Sequence, residues 1–285
     1  MPHHTGIDEE SLTARDFARL SGLIYAQAGI CLGPEKKTMV EARLKRRLRS
    51  LNMPSYRNYC EFIFSRKGSE EELVSLIDVI TTNKTDFFRE PAHFDFLKQQ
   101  ALPELSARAA SARPLTIWSA GCSSGEEPYT LAMVLSEHAA LHPGFRFNIL
   151  ATDISTAVLE KASLGVYTEE CASPIPNALR KKYLLRSRGG EPRRVRIVPE
   201  LRRMVEFRRL NFMDADYGMT EKADAIFCRN VLIYFDRPTQ QSILRKLIAH
   251  LVPDGYLFVG HSESLHDMSL PVVPEAPALY RKSDA

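Results

Sequence analysis

Polar residues recur at the ends of apolar runs in this chain, and their types suit the binding of a nucleoside. The run Leu115 to Ala120 breaks at Gly121-Cys122-Ser123-Ser124-Gly125 and is followed by Glu126 and Glu127. Phe147 to Ala151 ends in Thr152-Asp153, and Val205 to Leu210 ends in Asn211-Phe212. Ala223 to Cys228 ends in Arg229-Asn230-Val231, and Tyr256 to Gly260 ends in His261-Ser262. A carboxylate at a strand tip, as at Asp153, accepts hydrogen bonds from both hydroxyls of a ribose. An amide such as Asn211 or Asn230 offers a donor and an acceptor to the edge of adenine. Two carboxylates at a helix start complement the helix dipole and repel a pyrophosphate, so they suit a cationic ligand. That favours S-adenosylmethionine, which carries a sulfonium and an amine and no phosphate, over a dinucleotide. Glu126 and Glu127 would equally stabilise a helix start, and Asp153 would equally cap a helix; the residues alone leave both roles open.

These positions need a scaffold. Leu115 to Asp153 reads as strand, glycine turn, helix and strand, the opening unit of a doubly wound α/β fold whose ligand crevice lies beyond the carboxyl ends of the strands. Ser155 to Leu164 reads as a helix, as do Pro238 to Leu251 and, with Pro91 limiting its start, Ala92 to Ala110. Gly165 to about Met204 breaks the alternation and carries the run Arg194 to Val198, fit for a strand, so an antiparallel insertion is expected over about 165–204. Asp254-Gly255 reads as a turn, and a last strand is expected at Ala278 to Tyr280. Residues 12–80 read as a separate all-helical unit, with Thr13 and Asp16 at its start. The expected organisation is a tail over 1–11, a helical domain over 12–80, an interdomain linker and helix over 81–110, and the cofactor domain over 111–285. Arg66-Lys67-Gly68 is expected to separate two of the helices, and Phe87 and Phe88 are expected to pack between domains.

The 285 residues, with a net charge of +3, suit one large and one smaller soluble domain. No run is apolar enough to span a bilayer and no signal peptide precedes the first helix, so the expected location is the cytoplasm. Five dispersed cysteines without a CxxC pair argue against disulfides and zinc, the eight histidines show no ligand spacing, and no metal is expected. Charge is concentrated on the helix from about Lys36 to Leu51. Val40, Leu44, Leu48 and Leu51 share one face, while Arg43, Lys45, Arg46 and Arg49 occupy the other with Arg47 at the border. Such a face is either a solvated helix surface or a dock for an acidic partner, protein or nucleic acid.

Five segments together resemble the chemotaxis receptor methyltransferases, the CheR family. They are Thr81-Thr82-Asn83-Lys84-Thr85-Asp86-Phe87-Phe88-Arg89-Glu90, Gly125 to Tyr129, Ala151 to Ile154, Phe227-Cys228-Arg229-Asn230-Val231-Leu232-Ile233-Tyr234-Phe235, and Gly260 to Glu263. The resemblance implies transfer of a methyl group from S-adenosylmethionine to glutamate side chains of chemoreceptors, as esters. It implies that Asn83, Thr85, Arg89, Glu127, Asp153, Asn211, Phe212, Asn230 and Val231 contact the methyl donor. Arg89 and Tyr234 would orient the incoming carboxylate as catalytic residues. Arg43, Lys45, Arg46 and Arg49 would meet the glutamate-rich helical bundle of the receptor. In some family members the inserted sheet also tethers the receptor's C-terminal peptide as an added strand; the loop Arg188 to Arg194 leaves that open. A monomer is expected, with no nucleic acid and no direct membrane insertion. The competing readings are a nucleic-acid methyltransferase using the basic helix on phosphate, and a non-catalytic S-adenosylmethionine-binding signalling module.

Overall fold

The structure is a computed structural model, and it describes residues 11–65, 70–108, 113–187, 189–190 and 192–283. Most of the expected tail, the Arg66-Lys67-Gly68 segment, and Arg188 and Glu191 of the insertion loop lie outside the described residues. The chain divides into two compact units. One comprises residues 1–82 with Tyr234–Asp236; the other comprises residues 83–233 and 237–285.

The smaller unit is helical: α1 (Ala14–Ala28), α2 (Lys37–Ser50), α3 (Tyr56–Ile63) and α4 (Glu70–Ile80). The Thr13 side chain accepts the Asp16 amide at 3.0 Å, and Gly29 closes α1 in the left-handed region at φ 70°. Phe17, Leu20 and Ile24 of α1 meet Val40, Leu44 and Leu48 of α2 in one apolar core with Tyr59 and Leu76. Buried Glu72 on α4 is neutralised by a fork from Arg47 and accepts the Tyr59 hydroxyl at 2.8 Å. Tyr234 belongs to this unit: its carbonyl accepts the Cys31 amide at 2.8 Å, and its hydroxyl donates to the Thr82 carbonyl at 3.3 Å.

The larger unit opens with α5 (Pro91–Phe96), a π-turn over Leu97–Ala101 and α6 (Leu102–Arg108). Then come β1 (Leu115–Ala120), α7 (Glu126–Leu141), β2 (Phe147–Asp153) and α8 (Thr156–Leu164). The insertion holds β3 (Val166–Thr168), α9 (Asn177–Tyr183), β4 (Leu184–Arg186) and β5 (Arg194–Ile197). After α10 (Pro199–Arg203) follow β6 (Val205–Arg209), β7 (Ala223–Cys228), α11 (Arg237–Ala249), β8 (Leu251–Val259), β9 (Val272–Ala276) and β10 (Leu279–Lys282).

Seven strands form one sheet in the order β6-β2-β1-β7-β8-β10-β9. The first five run parallel, and β10 is antiparallel to both of its neighbours. The chain order reverses between β1 and β7, which places the switch-point crevice at their carboxyl ends. All six residues of β1 and of β7 are buried, as expected for strands covered on both faces. Buried Asp224 accepts two bonds from Arg113, at 2.6 and 2.8 Å, and one from the Thr116 amide at 2.8 Å, tying β7 to the start of β1. The insertion is a three-stranded antiparallel sheet in the order β3-β5-β4.

Three expectations are corrected. Asp254-Gly255 lies inside β8, where Asp254 takes φ 57° beside a register shift opposite Ala223 and Ala225. The single helix expected over 92–110 is broken by the π-turn. Phe87, expected between domains, is a core residue of the larger unit, 4.9 Å from the Tyr167 ring, and Phe88 stacks edge-on with Phe94 of the same unit.

Candidate methyl-donor site

The glycine turn after β1 is set by backbone requirements. Gly121 has φ +84°, and its amide donates to the Thr152 carbonyl at 2.7 Å, as does that of Cys122 at 2.9 Å. A Cβ on Gly121 would lie 2.5 Å from Val231 Cγ2, so the turn after β1 and the loop after β7 touch backbone to side chain. Gly125 begins α7 at φ +97° in a space closed by the Tyr167 hydroxyl and Ala162. The Tyr167 hydroxyl, from β3, donates to the Ser124 carbonyl at 2.7 Å, so the inserted sheet braces the turn. Gly121→Ala is therefore expected to cost about 1–3 kcal/mol through strain and displacement of Val231. A thermal melt and a methyl-donor titration of the variant check both effects.

The two acids opening α7 differ in role. Glu126 is 2% exposed, accepts the Ser124 hydroxyl at 2.7 Å and sits 3.6 Å from the Cys171 sulfur, so it braces the helix start. Glu127 accepts the Ser119 hydroxyl at 2.7 Å and lies 3.3 Å from the Arg229 guanidinium. Burial raises the pKa of Glu127, and Arg229 and the Ser119 bond oppose that rise. Glu127 is thus a carboxylate half-neutralised at the strand tips, a natural counter-charge for a cationic ligand.

Asp153 is held by backbone. Its Oδ2 accepts the Ser123 amide at 2.8 Å and its Oδ1 the Ser155 amide at 3.0 Å. The helix cap of α8 is Ser155, whose hydroxyl accepts the Val158 amide. Each carboxylate oxygen accepts more than one hydrogen bond, so the anchoring leaves Asp153 able to receive hydroxyls. Asn211 Oδ1 accepts the Met213 amide at 3.0 Å, an Asx turn that commits one side of the amide, and Phe212 beside it is buried. Asn230 is left-handed at φ 58°, and its side chain donates to Glu90 at 3.4 Å.

From the segment before α5, the Asn83 carbonyl accepts the Ser123 hydroxyl at 2.9 Å, and Thr85 is half-buried nearby in sequence. Arg89 donates to the Lys84 carbonyl at 3.2 Å, while its own carbonyl accepts from Arg229 at 2.5 Å. Sequence reasoning missed Arg229, Glu90 and Glu263. Arg229, buried under Phe94, lies 3.8 Å from Glu90 and links it to Glu127. Glu263 is buried and receives the amides of Asn230 at 2.8 Å, Gly260 at 2.7 Å and Ile233 at 3.3 Å, which fixes the loop after β7. The signal for Arg229 was present: an arginine directly after the apolar run of β7.

On the helical unit, Lys45, Arg46 and Arg49 of α2 are exposed. Arg43 is drawn away from that face: its guanidinium donates to the carbonyls of Ile80 and Thr81, the latter at 3.0 Å, and to the Thr82 hydroxyl. Arg47 is likewise committed to Glu72.

A parallel sheet reversing at a glycine turn, with an acid at the tip of the neighbouring strand, defines the doubly wound nucleoside-cofactor class. Comparison with known proteins narrows it. Residues 83–274 match the family model described as CheR methyltransferase, SAM binding domain, and residues 15–81 match the CheR methyltransferase, all-alpha domain. A chemotaxis protein methyltransferase of Escherichia coli is 44% identical over 89% of this chain and 86% of its own length. One from Pseudomonas aeruginosa is 42% identical over 91% of this chain and 90% of its own. One from Borreliella burgdorferi is 39% identical over 96% of each. The chain belongs to the CheR methyltransferase family. It carries an S-adenosylmethionine-binding methyltransferase domain, and its activity is methylation in chemotaxis. Among the described residues no helix is long and apolar enough to cross a membrane.

Proposed function

We propose that the chain transfers the methyl group of S-adenosylmethionine to glutamate side chains in the helical bundle of chemoreceptors, forming methyl esters, and that it does so as a cytoplasmic monomer. The observation that carries the donor assignment is Glu127, a largely but not fully buried carboxylate at the start of α7 only partly neutralised by Arg229. A sulfonium donor with a free amine supplies the missing positive charge, and the anchored carboxylate of Asp153 at the tip of β2 suits the hydroxyls of its ribose. When bound, S-adenosylmethionine supplies an electrophilic methyl carbon; a carboxylate oxygen forms the new bond as the carbon–sulfur pair returns to sulfur.

A glutamate acceptor is already ionised at neutral pH, so this chemistry needs alignment and exclusion of water rather than a base. Asn83, Thr85, Asn211, Phe212, Asn230 and Val231 complete the donor site in this reading. Arg89 offers a guanidinium fork and Tyr234 a hydroxyl to orient the carboxylate. Lys45, Arg46 and Arg49 offer a compact basic face to a glutamate-rich surface, with Arg43 now a brace for the end of α4. The receptor's C-terminal peptide, where one is used, would add to the inserted sheet.

Titration calorimetry with S-adenosylmethionine and with its demethylated product tests the donor assignment: one site for each is expected, and absence of heat from both overturns it. Because burial holds the Glu127 pKa up, pairing with a cation should pull it down and expel a proton. Donor affinity is therefore expected to rise with pH through Glu127's elevated range, with proton release visible as heats that differ between buffers of different ionisation enthalpy. The double change Arg46→Glu and Arg49→Glu is expected to cut receptor methylation at least about tenfold at low salt, with donor affinity unchanged, because the repulsion acts on encounter. Equal loss of both would contradict the docking role.

A further inference from the structure

The start of α5 carries a Glu-x-x-His pair, Glu90 and His93, and the loop after β8 brings His261 against it. One ligand atom from each lies within 4.8 Å of the others. His93 Nδ1 is 3.5 Å from Glu90 Oε2, and the His93 and His261 rings meet edge-on at 5.0 Å between centroids.

His93 is 3% exposed, and neither ring nitrogen closes a well-formed hydrogen bond. Glu90 Oε2 is also buried without a hydrogen-bond donor, although Glu90 Oε1 takes the His261 amide at 3.3 Å and the Asn230 side chain. The imidazole thus faces a carboxylate oxygen on one side, while the Pro277 carbonyl approaches it as an acceptor. A neutral imidazole has one N–H for these two acceptors. One imidazole lone pair is left facing an acceptor, a gap that a cation would close.

A metal binds through an imidazole lone pair and a carboxylate oxygen, and His93 Nδ1 and Glu90 Oε2 face each other at 3.5 Å with neither closing a hydrogen bond.

We propose that Glu90 Oε2, His93 Nδ1 and His261 form a site for a divalent transition cation of the zinc type. Two imidazoles and one carboxylate with an open fourth position suit that ion. His261 is the exposed member of the three, and the Pro277 carbonyl approaches the His93 ring as an acceptor that would orient it. Arg229 opposes a cation from 3.8 Å, and its ion pair with Glu127 at 3.3 Å offsets part of that charge.

The test uses the full chain stripped with a chelator, then titrated with zinc against a chromophoric zinc chelator, and separately with cobalt in the visible range. One zinc per chain is expected, with affinity falling at least tenfold in His261→Ala and in Glu90→Gln. Cobalt is expected to give absorption bands that both substitutions abolish. His261 is exposed, so His261→Ala keeps the fold, which circular dichroism verifies. No retained zinc, or zinc uptake that neither substitution weakens, as from the exposed Cys31 thiol, would overturn the proposal.

Discussion

Arg229→Met is expected to lower methyl-donor affinity and turnover by about 100-fold or more while the sheet still folds. The guanidinium, 2% exposed, lies 3.3 Å from Glu127 and 3.8 Å from Glu90, and holds the Arg89 carbonyl at 2.5 Å. Removing one partner of a buried ion pair costs about 3–5 kcal/mol because the other charge is left uncompensated. Glu127, already raised by burial, then favours its protonated form and loses its attraction for a cation. The loop carrying Arg89 loses its brace in the same step. The sign with pH follows. A carboxylate whose folded pKa is raised weakens folding as pH rises from its unfolded value through its folded one. The stability deficit of Arg229→Met should therefore shrink on acidification. Adding Glu127→Gln should recover melting temperature without recovering donor affinity. Unchanged donor affinity in Arg229→Met would remove Arg229 from the site.

Asp153→Ala is expected to weaken the methyl donor by about 100-fold. Two hydrogen bonds from ribose hydroxyls to a carboxylate, at about 1.5 kcal/mol each, account for that factor. The amides of Ser123 and Ser155, which Asp153 now receives, would turn to water, loosening the glycine turn as well. The loss should appear in the donor's KM and binding constant more than in kcat, since the interaction is made equally before and during the reaction. A fall in kcat alone would contradict the role.

The strand-tip positions were legible because a parallel sheet buried on both faces writes itself as apolar runs; β1 and β7 end where those runs end, and β2 runs two residues past its own, to Asp153. Thr13 was legible as chemistry at a helix start and caps α1, whereas the cap of α8 is Ser155 and not Asp153, the residue the sequence offered for that role. The small elements of the insertion were less so. β3 and β4 are three residues each and are held by pairing to β5, so tertiary contact rather than periodicity defines them. The two acids of α7 looked alike in sequence, and only geometry separates Glu126, spent on Ser124, from Glu127, which meets Arg229. The same limit hid the Glu90–His93–His261 cluster: two ligands are three residues apart, but the third arrives from the end of β8. Helical periodicity assigned Arg43 to the basic face, yet α2 lies against the end of α4, whose carbonyls take that guanidinium.

The central claim is methyl transfer to a carboxylate, and the bond formed reports on it directly. The chain is incubated with S-adenosylmethionine labelled in its methyl group and a chemoreceptor cytoplasmic fragment, and the fragment is then treated with base. Label on the fragment, released as methanol by base and mapped to glutamate side chains, is the predicted result. Label that resists base, or label on nucleic acid with none on the fragment, would contradict the account.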